Sequence, residues 1–238
     1  MSVDDLSVAG NVVARALRSP AGGVHAWWCE FGWSDAAVES ARALLGDDER
    51  SRASRFATQP LRACYITTRA TLRMLLARWL DDTPDLVALA QTPRGRPYID
   101  RPGAPDFNVS HTRDAAIIVI AATGRIGVDV ERRDRRVDAA GLAPRYLARR
   151  ECAAMQSCAA GASREYFLRL WTCKEAMGKA TGDGLAAPMA QISVDLSADG
   201  AHLHAGPAPY TPADWALSVL DVPATHEATA ALWRPLHG

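Results

Sequence analysis

The 238-residue sequence predicts an α+β fold of two similar lobes, residues 1–124 and 125–238, each with helices packed on a small, mostly antiparallel sheet. Three observations lead there. Stretches of helical period and stretches of strand period occur in both halves without a regular strand-helix-strand alternation. The strand candidates are joined by short, turn-rich connections. Hydrophobic residues make up 48% and charged residues 23%, the balance of a soluble globular chain with enough residues to bury a sizeable core. No internal sequence repeat is visible.

In chain order, a polar lead-in precedes a strand from Val24 to Glu30, and Ser34-Asp35 caps a helix that runs to about Leu45. The charge run DDERSRASRF follows Gly46 and reads as a solvated helix face. Tyr65 to Leu80 is a strong helix with Leu72, Leu75, Leu76 and Trp79 on its buried face and Arg69, Arg73 and Arg78 at its rim. TPRGRPYID breaks the helical pattern and leaves Arg94 and Arg96 on an exposed loop. Pro105 to Ser110 begins a strand that stops at Ser110-His111, and AAIIVIAA, Ala115 to Ala122, returns as a fully buried one.

After the turn at Gly124-Arg125, Ile126 to Glu131 forms a strand whose alternation puts Asp129 and Glu131 on one face and Val128 and Val130 on the other. A helix follows near Pro144 to Gln156, and a longer one runs from about Ser163 to Ala180. The C-terminal stretch reads as strands: QISVDL and AHLHAG as a hairpin, then WALSVLDV and HEATAALW.

Composition narrows the function. The formal net charge is zero, so no global field recruits nucleic acid or an anionic membrane. The run RRDRR is short, carries an acid and lacks interleaved aromatics. Five cysteines without a C-x-x-C pair argue against a disulfide framework or a zinc ribbon. The longest apolar run falls well below the roughly 18 to 20 residues that cross a bilayer, and the acidic stretch MSVDDLSVAG lacks the basic and apolar regions expected of a signal peptide. A cytoplasmic protein is expected.

Among 27 lysines and arginines only Lys174 and Lys179 are lysine, and both fall in YFLRLWTCKEAMGKATGDGL. An ammonium is a compact point charge where a guanidinium is a wide fork, so this pairing points to a tight anion site. An isolated Glu-x-x-x-Lys such as Glu175 and Lys179 is ordinarily a surface pair. Here Lys174 lies inside the apolar stripe of Phe167, Leu170, Trp171 and Met177, and Gly182 and Gly184 follow the helix. Two carboxylates on one strand face repel each other unless a proton or cation intervenes, and Mg²⁺ is the natural hard cation for Asp129 and Glu131. Surface exposure is the plainer reading of Asp-x-Glu alone. Together, three carboxylates, two lysines, the Ser110-His111 pair and several arginines describe transfer of a phosphate-linked group. The G-x-x-x-x-G-K-[ST], G-x-S-x-G and H-E-x-x-H motifs are absent.

At these residues the sequence resembles the larger 4′-phosphopantetheinyl transferases. Their W-x-x-K-E-(A/S)-x-x-K-x-x-G-x-G-L signature is matched by Trp171, Lys174, Glu175, Ala176, Lys179, Gly182, Gly184 and Leu185. Their (I/V)-G-(I/V)-D-(I/V)-E strand is matched by Ile126 to Glu131, F-N-(I/V)-S-H by Phe107 to His111, and G-(K/R)-P by Gly95-Arg96-Pro97. Four ordered motifs span Gly95 to Leu185, and arginine patterns at Arg52 to Phe56 and Arg69 to Arg73 extend the match upstream.

The resemblance implies a pseudo-twofold monomer that binds coenzyme A between its lobes. It implies Mg²⁺ on Asp129, Glu131 and Glu175, and phosphate contacts from Lys179 and His111. Arg52 and Arg69 would hold the 3′-phosphate, while Arg96, Ser110 and Lys174 would line the nucleotide and pyrophosphate region. The implied reaction moves 4′-phosphopantetheine to a serine of an acyl or peptidyl carrier protein and releases 3′,5′-ADP. Glu175 would serve as general base, with Lys179 and Asp129 as its catalytic partners. Apolar residues between Leu142 and Gln156 would dock the carrier. A non-catalytic coenzyme A or carrier-binding module and a Mg²⁺-dependent nucleotide pyrophosphohydrolase remain the alternatives.

Overall fold

The structure, a computed structural model, describes residues 4–8, 11–20, 23–159, 161–197 and 199–235. Strands β1 (Leu6–Val8), β2 (Asn11–Ala16) and β3 (Val24–Glu30) come first, followed by helices α1 (Asp35–Ala43), α2 (Asp47–Ser54) and α3 (Gln59–Leu80). Four strands complete the first half: β4 (Leu89–Gln91), β5 (Pro97–Ile99), β6 (Asp106–His111) and β7 (Ala115–Ala121). The second half consists of β8 (Arg125–Arg132), α4 (Ala139–Tyr146), α5 (Arg149–Gln156), α6 (Ser163–Thr181), β9 (Ser193–Ser197), β10 (Gly200–Ala205), β11 (Trp215–Val219) and β12 (His226–Trp233). Each half therefore combines helices with antiparallel sheet, as the sequence predicts.

One sheet runs β1-β2-β3-β7-β6 and another β11-β12-β8, with β4-β5 and β9-β10 as separate two-stranded ribbons. Strand period 2 explains how they stack. On one face of β7, Ala116, Ile118 and Ile120 join Trp27, Phe107, Leu72, Leu75 and Leu76 under α3. On the other face, Ile117, Val119 and Ala121 join Val128, Val130, Ala228 and Ala230 of the second sheet. The far side of that second sheet receives α6, whose Phe167, Leu170, Ala176, Met177 and Ala180 share a core with Ala231. The layers run α3, first sheet, second sheet, α6. No helix among the described residues is long and apolar enough to cross a membrane.

Four expectations change. The polar lead-in contains β1 and β2, and Ala14 and Leu17 are buried; so short an alternation carries little signal. Helix α3 starts at Gln59, because Thr58 caps it and Pro60 suits its first turn. The helix expected over 144–156 is two, since Leu147 and Ala148 are extended between α4 and α5. Arg73, placed at a rim by its spacing, is only 5% exposed and donates to Glu49 Oε2 at 2.6 Å and to the carbonyls of Pro84 and Val87.

Candidate active site

The site grows from a seam where β6 meets β8. Among the described residues the outer edge of β8 has no strand partner, and alternate side chains of β6 replace one. Asp106 Oδ2 accepts the Ile126 N–H at 2.7 Å, Asn108 Oδ1 the Val128 N–H at 3.1 Å, and Ser110 Oγ the Val130 N–H at 3.3 Å. Helix α6 packs directly on the opposite face of β8. A Cβ at Gly127 would collide with the Ala176 carbonyl and stand 2.7 Å from the Ala180 nitrogen, so only glycine permits this approach. Thr172 and Thr229 tie the same helix to β12 at 3.1 Å.

This packing gathers Ser110, Asp129 and Lys179. Lys179 Nζ donates to Asp129 Oδ1 at 2.7 Å, to Ser110 Oγ at 3.0 Å and to the Val128 carbonyl at 3.0 Å, and Ser110 Oγ donates to Asp129 Oδ1 at 3.0 Å. The three line a cleft of about 760 Å³ together with His111, Glu131 and Arg135. Asp129 is 5% exposed, which overturns the plain surface reading of Asp-x-Glu. Glu175 is 9% exposed and makes no ion pair with Lys179; burial first, then the Asp129 charge, push its carboxyl up to about 7. Burial and Asp129 likewise raise Glu131, which is ion-paired with Arg135. His111 is exposed at the rim, yet the protein around it and then the Lys179 ammonium hold its pKa below the ordinary histidine value.

Arg52 and Arg69 line a separate cavity of about 920 Å³ with Arg55, Phe56 and Gln91. Arg52 is exposed and lies over the Tyr65 ring at 5.6 Å. Arg69 donates to Glu49 Oε1 at 2.6 Å. Burial pushes Glu49 up, but Arg69, the Gly46 N–H and Arg73 outweigh it, and its pKa falls below the ordinary value.

Two predicted site residues lie elsewhere. Lys174 is 1% exposed and donates to Glu151 Oε2 at 2.6 Å and to the carbonyls of Ile192, Met189 and Tyr146 at 2.6, 2.8 and 3.1 Å. Glu151 in turn accepts the N–H groups of Ala148 and Val194, both at 2.7 Å. The compact ammonium thus closes an interior network instead of lining the cleft. Arg96 is 7% exposed and forks onto Asp106 at 2.9 and 2.6 Å, while it donates to the Lys179 and Ile126 carbonyls at 3.0 Å. It fastens the β4-β5 ribbon to the seam and to α6. Between residues 142 and 156 the apolar Leu147 and Met155 are buried, and the exposed side chains include Arg145, Arg149 and Arg150.

Sequence reasoning missed Asn108, Asp106, Glu151 and Arg135. Asn108 and Asp106 alternate with buried Phe107 in a strand, a pattern that fits an ordinary half-solvated face equally well.

The donor chemistry suits a hard divalent cation. Asp129 Oδ2 and Glu175 Oε1 are buried carboxylate oxygens without a hydrogen-bond partner, and Asp129 raises both Glu131 and Glu175 by repulsion. Among the described residues, no three histidine, cysteine, aspartate or glutamate side chains stand in a group that could hold a metal ion as placed. The oxygens fit the ion, while Lys179 and Arg135 hold two of the three carboxylates.

Comparisons with known proteins agree on one family. A model described as the 4′-phosphopantetheinyl transferase superfamily matches residues 125–231, and one described as 4′-phosphopantetheinyl transferase, N-terminal, matches residues 32–124. The chain is 32% identical over 189 residues to the 4′-phosphopantetheinyl transferase HetI of a Nostoc species, covering 78% of this chain and 79% of HetI. It is 31% identical over 156 residues to the L-aminoadipate-semialdehyde dehydrogenase-phosphopantetheinyl transferase of Schizosaccharomyces pombe, covering 60% of each. Against the 4′-phosphopantetheinyl transferase Sfp of Bacillus subtilis it is 32% identical over 108 residues, 44% of this chain and 46% of Sfp.

Proposed function

Because the chain belongs to the 4′-phosphopantetheinyl transferase superfamily, we propose that it uses coenzyme A and Mg²⁺ to modify a serine of an acyl or peptidyl carrier protein and releases 3′,5′-ADP. The observation that carries this reading is the Lys179–Ser110–Asp129 cluster in the cleft, with Glu175 buried behind it and near enough for the Asp129 charge to raise its carboxyl.

The serine hydroxyl attacks the β-phosphorus of coenzyme A, and the bond from that phosphorus to the bridging oxygen breaks. Phosphopantetheine passes to the serine, and the bridging oxygen leaves with 3′,5′-ADP. Glu175 takes the hydroxyl proton. Lys179 neutralises charge that develops on the phosphate oxygens, and its Asp129 and Ser110 contacts fix the ammonium before substrate arrives. His111 at the rim donates to a phosphate oxygen. Asp129, Glu131 and Glu175 would hold Mg²⁺, which supplies Lewis-acid neutralisation of the diphosphate when bound. Arg52 reaches the 3′-phosphate with its exposed guanidinium, while Arg69 is shared with Glu49. The protein acts as a monomer whose lobes divide near Gly124.

The test is the intact mass of an apo carrier protein after incubation with this protein, coenzyme A and Mg²⁺, with an EDTA control. The expected result is a metal-dependent gain of one phosphopantetheine. No gain across several carrier types, with coenzyme A binding intact, would overturn the reading.

A further inference from the structure

Glu131 does not face the cleft alone. Beyond β8 the chain turns and brings back Arg135, whose guanidinium pairs with Glu131 Oε1. The same guanidinium lies over the Trp171 ring, 5.9 Å from its centroid. Phe167 stacks on Trp171 at 5.9 Å and Tyr146 meets it edge-on at 5.0 Å, so the platform under Arg135 is fixed in α6. Lys179 occupies Asp129 in the same way. Two of the three carboxylates read as metal ligands therefore already carry a cation supplied by this chain.

We propose that Arg135 is a latch on the metal site: it occupies Glu131 in the free protein, and the divalent cation enters together with the coenzyme A diphosphate, which draws Arg135 away. This rests on the reading of Asp129, Glu131 and Glu175 as the metal-binding carboxylates. A divalent ion and a guanidinium on one carboxylate repel each other, so one must yield. Arg135 can yield, because it lies outside helix and strand with a side chain 43% exposed. It also has somewhere to go. Arg135 lines the same cleft as Lys179 and His111, and its planar fork matches phosphate oxygens as readily as a carboxylate. If the diphosphate takes Arg135 from Glu131, metal and diphosphate must each raise the other's affinity by the same factor.

Mn²⁺ binding, followed by the electron paramagnetic resonance of the free ion, tests this with and without coenzyme A, after subtraction of a coenzyme A blank. Wild type is expected to bind Mn²⁺ weakly alone and at least about fivefold more tightly with coenzyme A. R135Q is expected to bind Mn²⁺ more tightly than wild type without coenzyme A, so that the enhancement is smaller than in wild type. R135K keeps the charge but loses the fork and the stack on Trp171, and is expected to fall between wild type and R135Q. If R135Q alone binds Mn²⁺ as weakly as wild type while coenzyme A still strengthens wild-type binding, the latch is wrong and the metal site stands. If wild type binds no Mn²⁺ even with coenzyme A, the metal assignment and the latch both fall.

Discussion

Glu175 shows how much a single position adds to its residue type. Its carboxyl is buried, one oxygen has no partner, and burial followed by Asp129 raises it from 4.5 to about 7. In metal-free protein the folded state keeps that proton up to about pH 7, whereas the unfolded chain releases it near 4.5. The folded state binds the extra proton, so stability falls as pH rises across that interval. Removing the charge should reverse the loss. In EDTA, Glu175→Gln is expected to be more stable than wild type above pH 7 by about 3 kcal/mol, with the advantage gone at pH 4; urea unfolding at both pH values checks it. Equal stability at both would contradict the buried, repelled carboxylate. The two lysines carry the complementary lesson. Their rarity pointed to two positions where one ammonium donates to several acceptors at once. At Lys179 the partners line the cleft, while at Lys174 they are Glu151 and three carbonyls in the interior. Positions five apart on a helix point about 140° apart, so one rare residue type could mark two different environments. Composition cannot separate them.

At the level of elements, the geometry of the cleft depends on how closely α6 lies on β8. Gly127 sets that distance. Gly127→Ala is expected to lose about 3 kcal/mol of stability by overpacking and, at temperatures where it stays folded, to transfer more slowly, because Glu175 and Lys179 move relative to Asp129. Unfolding midpoint and single-turnover rate measure the two effects; a wild-type midpoint would show that the contact is slack. The face occupied by Asp129 and Glu131 was legible in the sequence, since period 2 leaves their orientation no freedom once Val128 and Val130 are buried. The all-apolar β7 was legible too, as a strand covered on both faces. The seam was not. Side chains of β6 that cap backbone N–H groups of β8 leave no periodic mark, and Asp106, Asn108 and Ser110 read equally as a solvated face. The break between α4 and α5 escaped for a similar reason, because Glu151 stabilises it through a local backbone contact.

At the scale of the whole molecule, the cleft draws Ser110 and His111 from the first half and Asp129, Glu131 and Lys179 from the second. Neither half holds it alone. Arg96 spans the same divide from the β4-β5 ribbon to the Lys179 carbonyl, which gives the G-R-P motif a positioning role in place of the ligand contact its sequence suggested. The diphosphate of coenzyme A is expected in the cleft at this seam. A crystal structure of the protein with coenzyme A and Mg²⁺ tests it most directly. The expected density puts the diphosphate within hydrogen-bond reach of Lys179 and His111, the metal on Asp129, Glu131 and Glu175, and the 3′-phosphate toward Arg52. A diphosphate bound away from Lys179 and Asp129, with Glu131 still paired to Arg135, would overturn this placement.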